Sequence, residues 1–74
     1  MKIYNRGVIK VHLNGETREL DREVDLAEFV QFLSLPTQRI AIELNGRVVR
    51  KADWEKTPLH DADRVEMVHF VGGG

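Results

Sequence analysis

The chain has 74 residues and a formal net charge of −1, with 11 basic and 12 acidic side chains. A domain of this size is near the lower limit at which hydrophobic burial outweighs chain entropy, so its core must be compact. The absence of cysteine excludes disulfides and thiolate zinc sites. The balanced charge argues against nucleic acid or an anionic membrane as a partner. We therefore expect one cytoplasmic, monomeric domain without a signal peptide or a membrane span.

The first predicted element is a β-hairpin. Apolar and polar residues alternate from Ile9 to Leu13, which is the period of a half-buried strand. Asn14-Gly15 follows, and this dipeptide tolerates the two positive φ angles of a type I′ turn. The chain then returns through residues 17–20 as a second strand.

A helix is predicted after this hairpin. Asp25 can cap its N-terminus, and Glu28, three residues later, completes a capping box. Pro36 forbids its continuation. Phe32 lies off the main apolar stripe, and we interpret it as packing at the flank of the core. The stripe has the i, i+3, i+4, i+7 spacing of one helix face and consists of Leu26, Phe29, Val30 and Leu33.

A second hairpin is predicted after the helix. Residues 40–44 form a mostly apolar strand, Asn45-Gly46 supplies another tight turn, and residues 47–49 return. A small basic cluster begins on the returning strand, and we interpret it as a solvated edge. Its members are Arg47, Arg50 and Lys51.

The last predicted strand spans residues 65–71. Residues 52–58, earlier in the chain, are expected to be irregular, with Trp54 covering one end of the core. Within the last strand, the alternation of side chains places Val65 and Met67 toward the core.

This order of elements predicts an α+β domain in which a mixed sheet packs on one helix. The first and last strands must be adjacent for the sheet to close over a single helix. That arrangement is the β-grasp, or ubiquitin-like, fold. We assign residues 1–71 to one β-grasp domain and residues 72–74 to a separate C-terminal tail.

The tail is Gly72-Gly73-Gly74. Because glycine has no Cβ, these residues cannot pack a core, and we expect a slim, flexible thread that ends in a carboxylate. Such a thread can enter a narrow tunnel of another protein. A linker introduced by cloning is the alternative origin of the glycines.

No self-contained active site is visible elsewhere. The three histidines lack metal-ligand spacing. The segment Asp61-Ala62-Asp63 begins like a calcium loop but lacks the later glycine and glutamate, so a plain turn is the better interpretation. The only unusual chemical group is the carboxylate of Gly74.

Motifs spread over residues 8–74 carry a family resemblance. They are Leu13-Asn14-Gly15-Glu16, Ile42-Glu43-Leu44-Asn45-Gly46, Trp54, Leu59-His60-Asp61-Ala62-Asp63-Arg64-Val65-Glu66 and His69-Phe70-Val71-Gly72-Gly73-Gly74. Together they resemble the ThiS family, the sulfur carriers of thiamine biosynthesis. Two departures are the extension at residues 1–7 and Ala62, where the family often has glycine.

The resemblance implies a protein co-substrate rather than an enzyme. An adenylating, E1-like partner uses ATP and magnesium to convert the Gly74 carboxylate to an acyl adenylate. A sulfur donor protein then displaces AMP, and the resulting thiocarboxylate gives its sulfur to thiazole synthase. The chain itself binds no cofactor and no metal.

The resemblance, together with the outer face of the last strand, indicates where partners bind. Gly72 and Gly73 form the thread that partners receive. Val68, Phe70 and Val71 lie directly upstream, where any enzyme that receives the tail must pass, and we expect them to contact the partners.

Three other functions stay open at this point. The small subunit of molybdopterin synthase uses the same fold and the same thiocarboxylate, with a different sulfur acceptor. A ubiquitin-like modifier would join its C-terminus to lysine side chains. A non-covalent docking module would use the fold alone, and its glycine end would be incidental.

Overall fold

Two β-hairpins, one short helix and a fifth strand make up the main elements of the described chain, which comprises residues 7–35 and 37–69 of the computed structural model. The helix α1 spans Leu26–Phe32, and 3-10 helices span Thr37–Arg39 and Lys51–Lys56. The strands are β1 (Ile9–Leu13), β2 (Glu16–Leu20), β3 (Ile40–Leu44), β4 (Arg47–Val49) and β5 (Arg64–His69).

The five strands form one mixed sheet in the order β2-β1-β5-β3-β4. Strand β1 runs parallel to β5, while the β1–β2, β3–β4 and β3–β5 pairs are antiparallel. The first and last strands are therefore neighbours, and the predicted β-grasp arrangement is confirmed. Strand β5 lies in the centre of the sheet.

Both hairpins turn through the predicted Asn-Gly dipeptides. The φ angles are 49° at Asn14 and 85° at Gly15, and 51° at Asn45 and 87° at Gly46. Positive φ at both central residues is the requirement of a type I′ turn, whose twist matches that of the flanking strands. Glycine is suited to the second position because it has no Cβ to oppose positive φ.

Helix α1 begins with the predicted capping box. The backbone N–H of Glu28 donates to Oδ1 of Asp25 at 2.8 Å, and the N–H of Asp25 donates to Oε1 of Glu28 at 3.1 Å. Asp25 is buried, so this cap also satisfies backbone groups that water does not reach. The helix ends at Phe32, and Leu33 is its C-cap.

The connecting segment, residues 57–59 after the second 3-10 helix, anchors the start of the helix. The N–H of Leu26 donates to the carbonyl of Thr57 at 3.0 Å, and the N–H of Leu59 donates to the carbonyl of Val24 at 2.8 Å. The segment therefore runs antiparallel along the residues that precede the helix, and a β-bridge joins Asp25 to Pro58.

The core lies between α1 and one face of the sheet. It includes Leu59 from the connecting segment, which is fully buried. Burial of these apolar side chains is the main stabilising contribution in a domain this small. The buried apolar residues are Ile9, Val11, Leu13, Val24, Leu26, Phe29, Val30, Ile40, Ile42, Trp54, Leu59 and Val65.

Two expectations need correction. Phe32 does not pack at the flank of the core, because 60% of its surface is exposed at the end of α1. Residues 51–56 are a 3-10 helix rather than irregular chain. Trp54 on that helix does cover the core as predicted, and its Nε1 donates to the carbonyl of Val49 at 3.0 Å.

Candidate functional site

The candidate site is the end of β5 together with the tail that follows it. The described part of β5 ends at His69. Phe70, Val71 and residues 72–74, which the sequence places in this site, lie outside the described residues. Their predicted roles stay predictions.

The two faces of β5 differ as the alternation predicts. Val65 is fully buried and Met67 is partly buried against the core. Glu66 lies on the opposite face, as does Val68, which is 58% exposed. The last described apolar side chain before the tail is therefore available to a partner.

The exposed side of the sheet around Val68 is partly apolar and partly acidic. Ala41 on β3 lies directly opposite Val68, and Glu43 lies opposite Glu66. Val48 on the edge strand β4 lies opposite Glu43 and is 71% exposed. Like charges directly opposite each other destabilise a sheet slightly, so the two glutamates gain nothing from their position in the isolated chain.

Both aspartates of the turn before β5 bind nearby polar groups. Oδ1 of Asp61 accepts a hydrogen bond from the N–H of Lys10 at 2.8 Å. Asp63 accepts from the N–H of His60 at 2.8 Å and from Nδ2 of Asn45 at 3.0 Å. These contacts fit a plain turn, as the sequence indicated.

The histidines are dispersed in the described structure. His60 lies 3.8 Å from a carboxylate oxygen of Glu23 and 3.9 Å from one of Asp63. His12 lies 3.4 Å from the Thr17 hydroxyl, and His69 is exposed on β5. Over residues 7–35 and 37–69, no group of three or more His, Cys, Asp or Glu side chains could hold a metal ion.

Sequence reasoning missed the long-range contacts of two turn asparagines. Asn14 and Asn45 were used only to explain positive φ angles, but the side chain of each also binds the backbone of β5. Asparagine at the first turn position was the signal for such a contact. Glycine also tolerates positive φ there, but it has no side-chain amide that could form a hydrogen bond. The exposure of the Val48 side chain was also not predicted. Alternation along β4 places Val48 and Val49 on opposite faces of the sheet, so one of the two must face away from the core.

The comparisons with known proteins cover nearly the whole described fold. The sequence model of the ThiS family matches residues 11–74. The chain belongs to the ThiS family. The family match extends through all three terminal glycines, so the tail lies within the region that the family model covers.

Three relatives illustrate the family. The crystal structure of the thiamine biosynthesis protein ThiS from Geobacter metallireducens has 28% identity and a TM-score of 0.78 and covers 89% of this chain and 100% of that one. The sulfur carrier protein ThiS of Bacillus subtilis is 28% identical and covers 86% of this chain and 98% of its own length.

The third relative is longer. A protein named thiazole synthase from Magnetococcus marinus is 33% identical over 66 residues, which is 89% of this chain. The match spans only 20% of that protein. A segment similar to this chain is thus one part of a larger protein.

In the described part of this ThiS-family chain, no helix is long and apolar enough to cross a membrane.

Proposed function

We propose that this chain is a sulfur carrier of thiamine biosynthesis and that the carboxylate of Gly74 carries the sulfur. The observation that supports this most is the family match, which includes the glycine tail and ends at residue 74. The position of β5 is consistent with the proposal. The tail follows the central strand of the sheet, and β3 pairs with the described part of that strand as far as His69.

The chemistry requires activation because a carboxylate is a poor electrophile at neutral pH. An adenylating partner transfers the AMP moiety of ATP to the Gly74 carboxylate, and pyrophosphate leaves. A sulfur donor protein then supplies sulfur at the oxidation level of sulfide, which attacks the acyl carbon and displaces AMP. The product is a thiocarboxylate on Gly74, with AMP released. ATP and magnesium are bound by the adenylating partner, so the chain serves as a co-substrate.

Thiazole synthase is the proposed sulfur acceptor. The thiazole synthase of Magnetococcus marinus contains a segment similar to this chain. Joining a carrier to its acceptor raises the effective concentration of one at the other without any new contact. If this chain and thiazole synthase are separate proteins, they must bind each other before sulfur can be transferred. We place that contact at the exposed end of β5.

The proposal is tested by intact-mass measurement of the chain. With an adenylating enzyme, ATP and a sulfur donor, we expect the mass to rise by the difference between sulfur and oxygen. Adding thiazole synthase and its other substrates should return the mass to that of the carboxylate. The large subunit of molybdopterin synthase is the control acceptor and should leave the thiocarboxylate intact.

Three results would contradict the proposal. A mass that never changes with any adenylating enzyme would indicate a non-covalent module. Sulfur transfer to the molybdopterin enzyme in preference to thiazole synthase would assign the chain to the other pathway. Covalent conjugates with lysine side chains, seen on a denaturing gel, would indicate a protein modifier.

A further inference from the structure

The two ends of β5 are held very differently. At its beginning, the N–H of Asn45 donates to the carbonyl of Arg64 at 2.8 Å, and the N–H of Arg64 donates to Oδ1 of Asn45 at 2.9 Å. The N–H of His12 donates to the carbonyl of Asp63 at 2.9 Å, just before the strand. The start of β5 is thus fixed from both neighbouring strands.

At its far end, β5 extends beyond the last residue of β1. The parallel pairing ends with Leu13 opposite Val65, whereas β5 continues to His69. On the other side, β3 stays paired as far as Ile40 opposite His69. The last part of β5 therefore has a strand on one side only.

The side chain of Asn14 closes this gap at one position. The N–H of Met67 donates to Oδ1 of Asn14 at 2.8 Å, and Nδ2 of Asn14 donates to the carbonyl of Met67 at 3.2 Å. Both distances are those of ordinary N–H···O hydrogen bonds. The amide thus substitutes for the peptide group of one further residue of β1. We refer to this pair of hydrogen bonds as the Asn14 clasp.

Among the described residues, the clasp is also the last hydrogen-bonded link to β5 on that side. The N–H of His12 bonds the carbonyl of Asp63, and the N–H of Asn14 bonds the carbonyl of Val65, so alternate residues of β5 face β1. Met67 is the next in that series and His69 follows it. Within residues 7–35 and 37–69, no hydrogen bond reaches the backbone of His69 from this side.

We infer that Asn14 is a positioning residue for the tail, an inference that rests on the proposed sulfur-carrier function. Without the clasp, the residues after Val65 can separate from the β1 edge, and the tail then starts from a range of positions. A partner binds the ordered arrangement, so its apparent affinity falls with the fraction of ordered molecules. The effect should appear in KM, because the partner restores the arrangement once it has bound.

Asparagine meets two separate requirements at this position. Its φ of 49° is tolerated by asparagine and glycine. The clasp needs one donor and one acceptor, which an amide provides and a carboxylate does not. Asn14→Gly should therefore keep the turn and remove only the clasp. Asn14→Asp should place a carboxylate oxygen against the carbonyl of Met67 and repel it.

The second hairpin supplies a matched control. Asn45 occupies the equivalent turn position with φ of 51°, and its side chain binds the opposite end of β5. Asn45→Gly therefore makes the same chemical change with the same increase in backbone freedom. It releases the beginning of the strand instead of its far end, and it also removes the hydrogen bond that Nδ2 of Asn45 donates to Oδ1 of Asp63.

The first measurement is amide hydrogen exchange of the full chain. In Asn14→Gly we expect exchange at the Met67 amide to rise about tenfold, the scale of one lost hydrogen bond. In Asn45→Gly the rise should occur at Arg64 instead. Unchanged protection of Met67 in Asn14→Gly would overturn the inference.

The second measurement is adenylation kinetics at a temperature where all variants are folded. Asn14→Gly should raise KM for the adenylating enzyme about fivefold with little change in kcat, and Asn14→Asp should raise KM at least as much. Asn45→Gly should leave both constants unchanged. Equal KM values for Asn14→Gly and Asn45→Gly would overturn the positioning role. A wild-type chain that is not adenylated at all would overturn the proposed function itself, before any variant is compared.

Discussion

At the scale of single residues, Ala62 has a backbone conformation that is unfavourable for its type. Its φ is 72°, whereas the two turn asparagines have similar angles that asparagine tolerates. A left-handed conformation costs an L-residue with a Cβ about 1–2 kcal/mol. The adjacent hydrogen bond from the N–H of Ala62 to the carbonyl of Lys10, at 2.7 Å, holds the turn in place despite this cost.

Ala62→Gly should therefore stabilise the chain. Removing the Cβ relieves the left-handed cost, and the greater freedom of glycine in the unfolded chain offsets about 0.5–1 kcal/mol of the gain. We expect a net increase in the free energy of unfolding of up to about 1 kcal/mol, measured by urea denaturation.

Ala27→Gly is the matched control for this prediction. Ala27 lies inside helix α1, where the same substitution should cost about 1 kcal/mol. Opposite signs for the two variants would support the backbone explanation. A loss of stability in Ala62→Gly would show that the turn does not need positive φ at this residue.

At the scale of elements, helix α1 depends on its tertiary contacts. It has seven residues, and helices shorter than about 12 residues are marginal on their own in water. The capping box and one apolar face stabilise it instead. On that face Leu26 is fully buried and Phe29 is 1% exposed.

Truncation on this face should be severe. Leu26→Ala and Phe29→Ala should each lower the free energy of unfolding by about 2–5 kcal/mol, because each removes buried contacts and leaves a cavity. Phe32→Ala is the control, since Phe32 is 60% exposed at the end of the same helix. It should change stability by no more than about 0.5 kcal/mol. Wild-type melting of Leu26→Ala and Phe29→Ala would mean that the buried face is wrongly assigned.

The elements were predictable from local patterns, and the contacts between distant elements were not. The capping box at Asp25 and the two Asn-Gly turns each depend on a few adjacent residues, and the structure confirms all three. The Asn14 clasp joins residues 53 positions apart, so it depends on which strand lies beside β1. Phe32 was misjudged for a related reason. Helical spacing indicates which face is apolar but not where the neighbouring sheet ends.

At the scale of the whole molecule, the proposed function separates the tail from the fold. Deleting Gly73 and Gly74 removes no side chain from the core, so the melting temperature should change by less than about 2 °C. Adenylation should fall more than about a hundredfold, because the reacting carboxylate is moved away from the adenylating groups. Adding one residue after Gly74 should have a similar effect.

Calorimetric melting and ATP–pyrophosphate exchange would measure these two properties on the same samples. A large fall in the melting temperature would mean that the glycines contribute to the fold. Normal exchange with the shortened chain would mean that the Gly74 carboxylate is not the group that is adenylated.

The exposed end of β5 leads to the last prediction, which concerns partner binding. Val68 is 58% exposed on the face of the sheet away from the core, shortly before the tail. A partner that receives the tail must pass this side chain, and Phe70 follows on the same face if β5 continues. Apolar and aromatic anchors of this kind often account for much of the energy of an interface.

Val68→Ala and Phe70→Ala should weaken binding to both the adenylating enzyme and thiazole synthase while the fold is preserved. The loss should be about 2 kcal/mol for an aromatic anchor and smaller for valine. Val8→Ala is the matched control, because Val8 is 55% exposed but precedes β1, at the opposite end of the sheet from the tail. Titration calorimetry of each variant against each partner, with a melting curve for each, would measure the effect. If folded Val68→Ala and Phe70→Ala bind as tightly as Val8→Ala, the partners dock elsewhere, and the exposed basic edge formed by Arg47, Arg50 and Lys51 becomes the next surface to test.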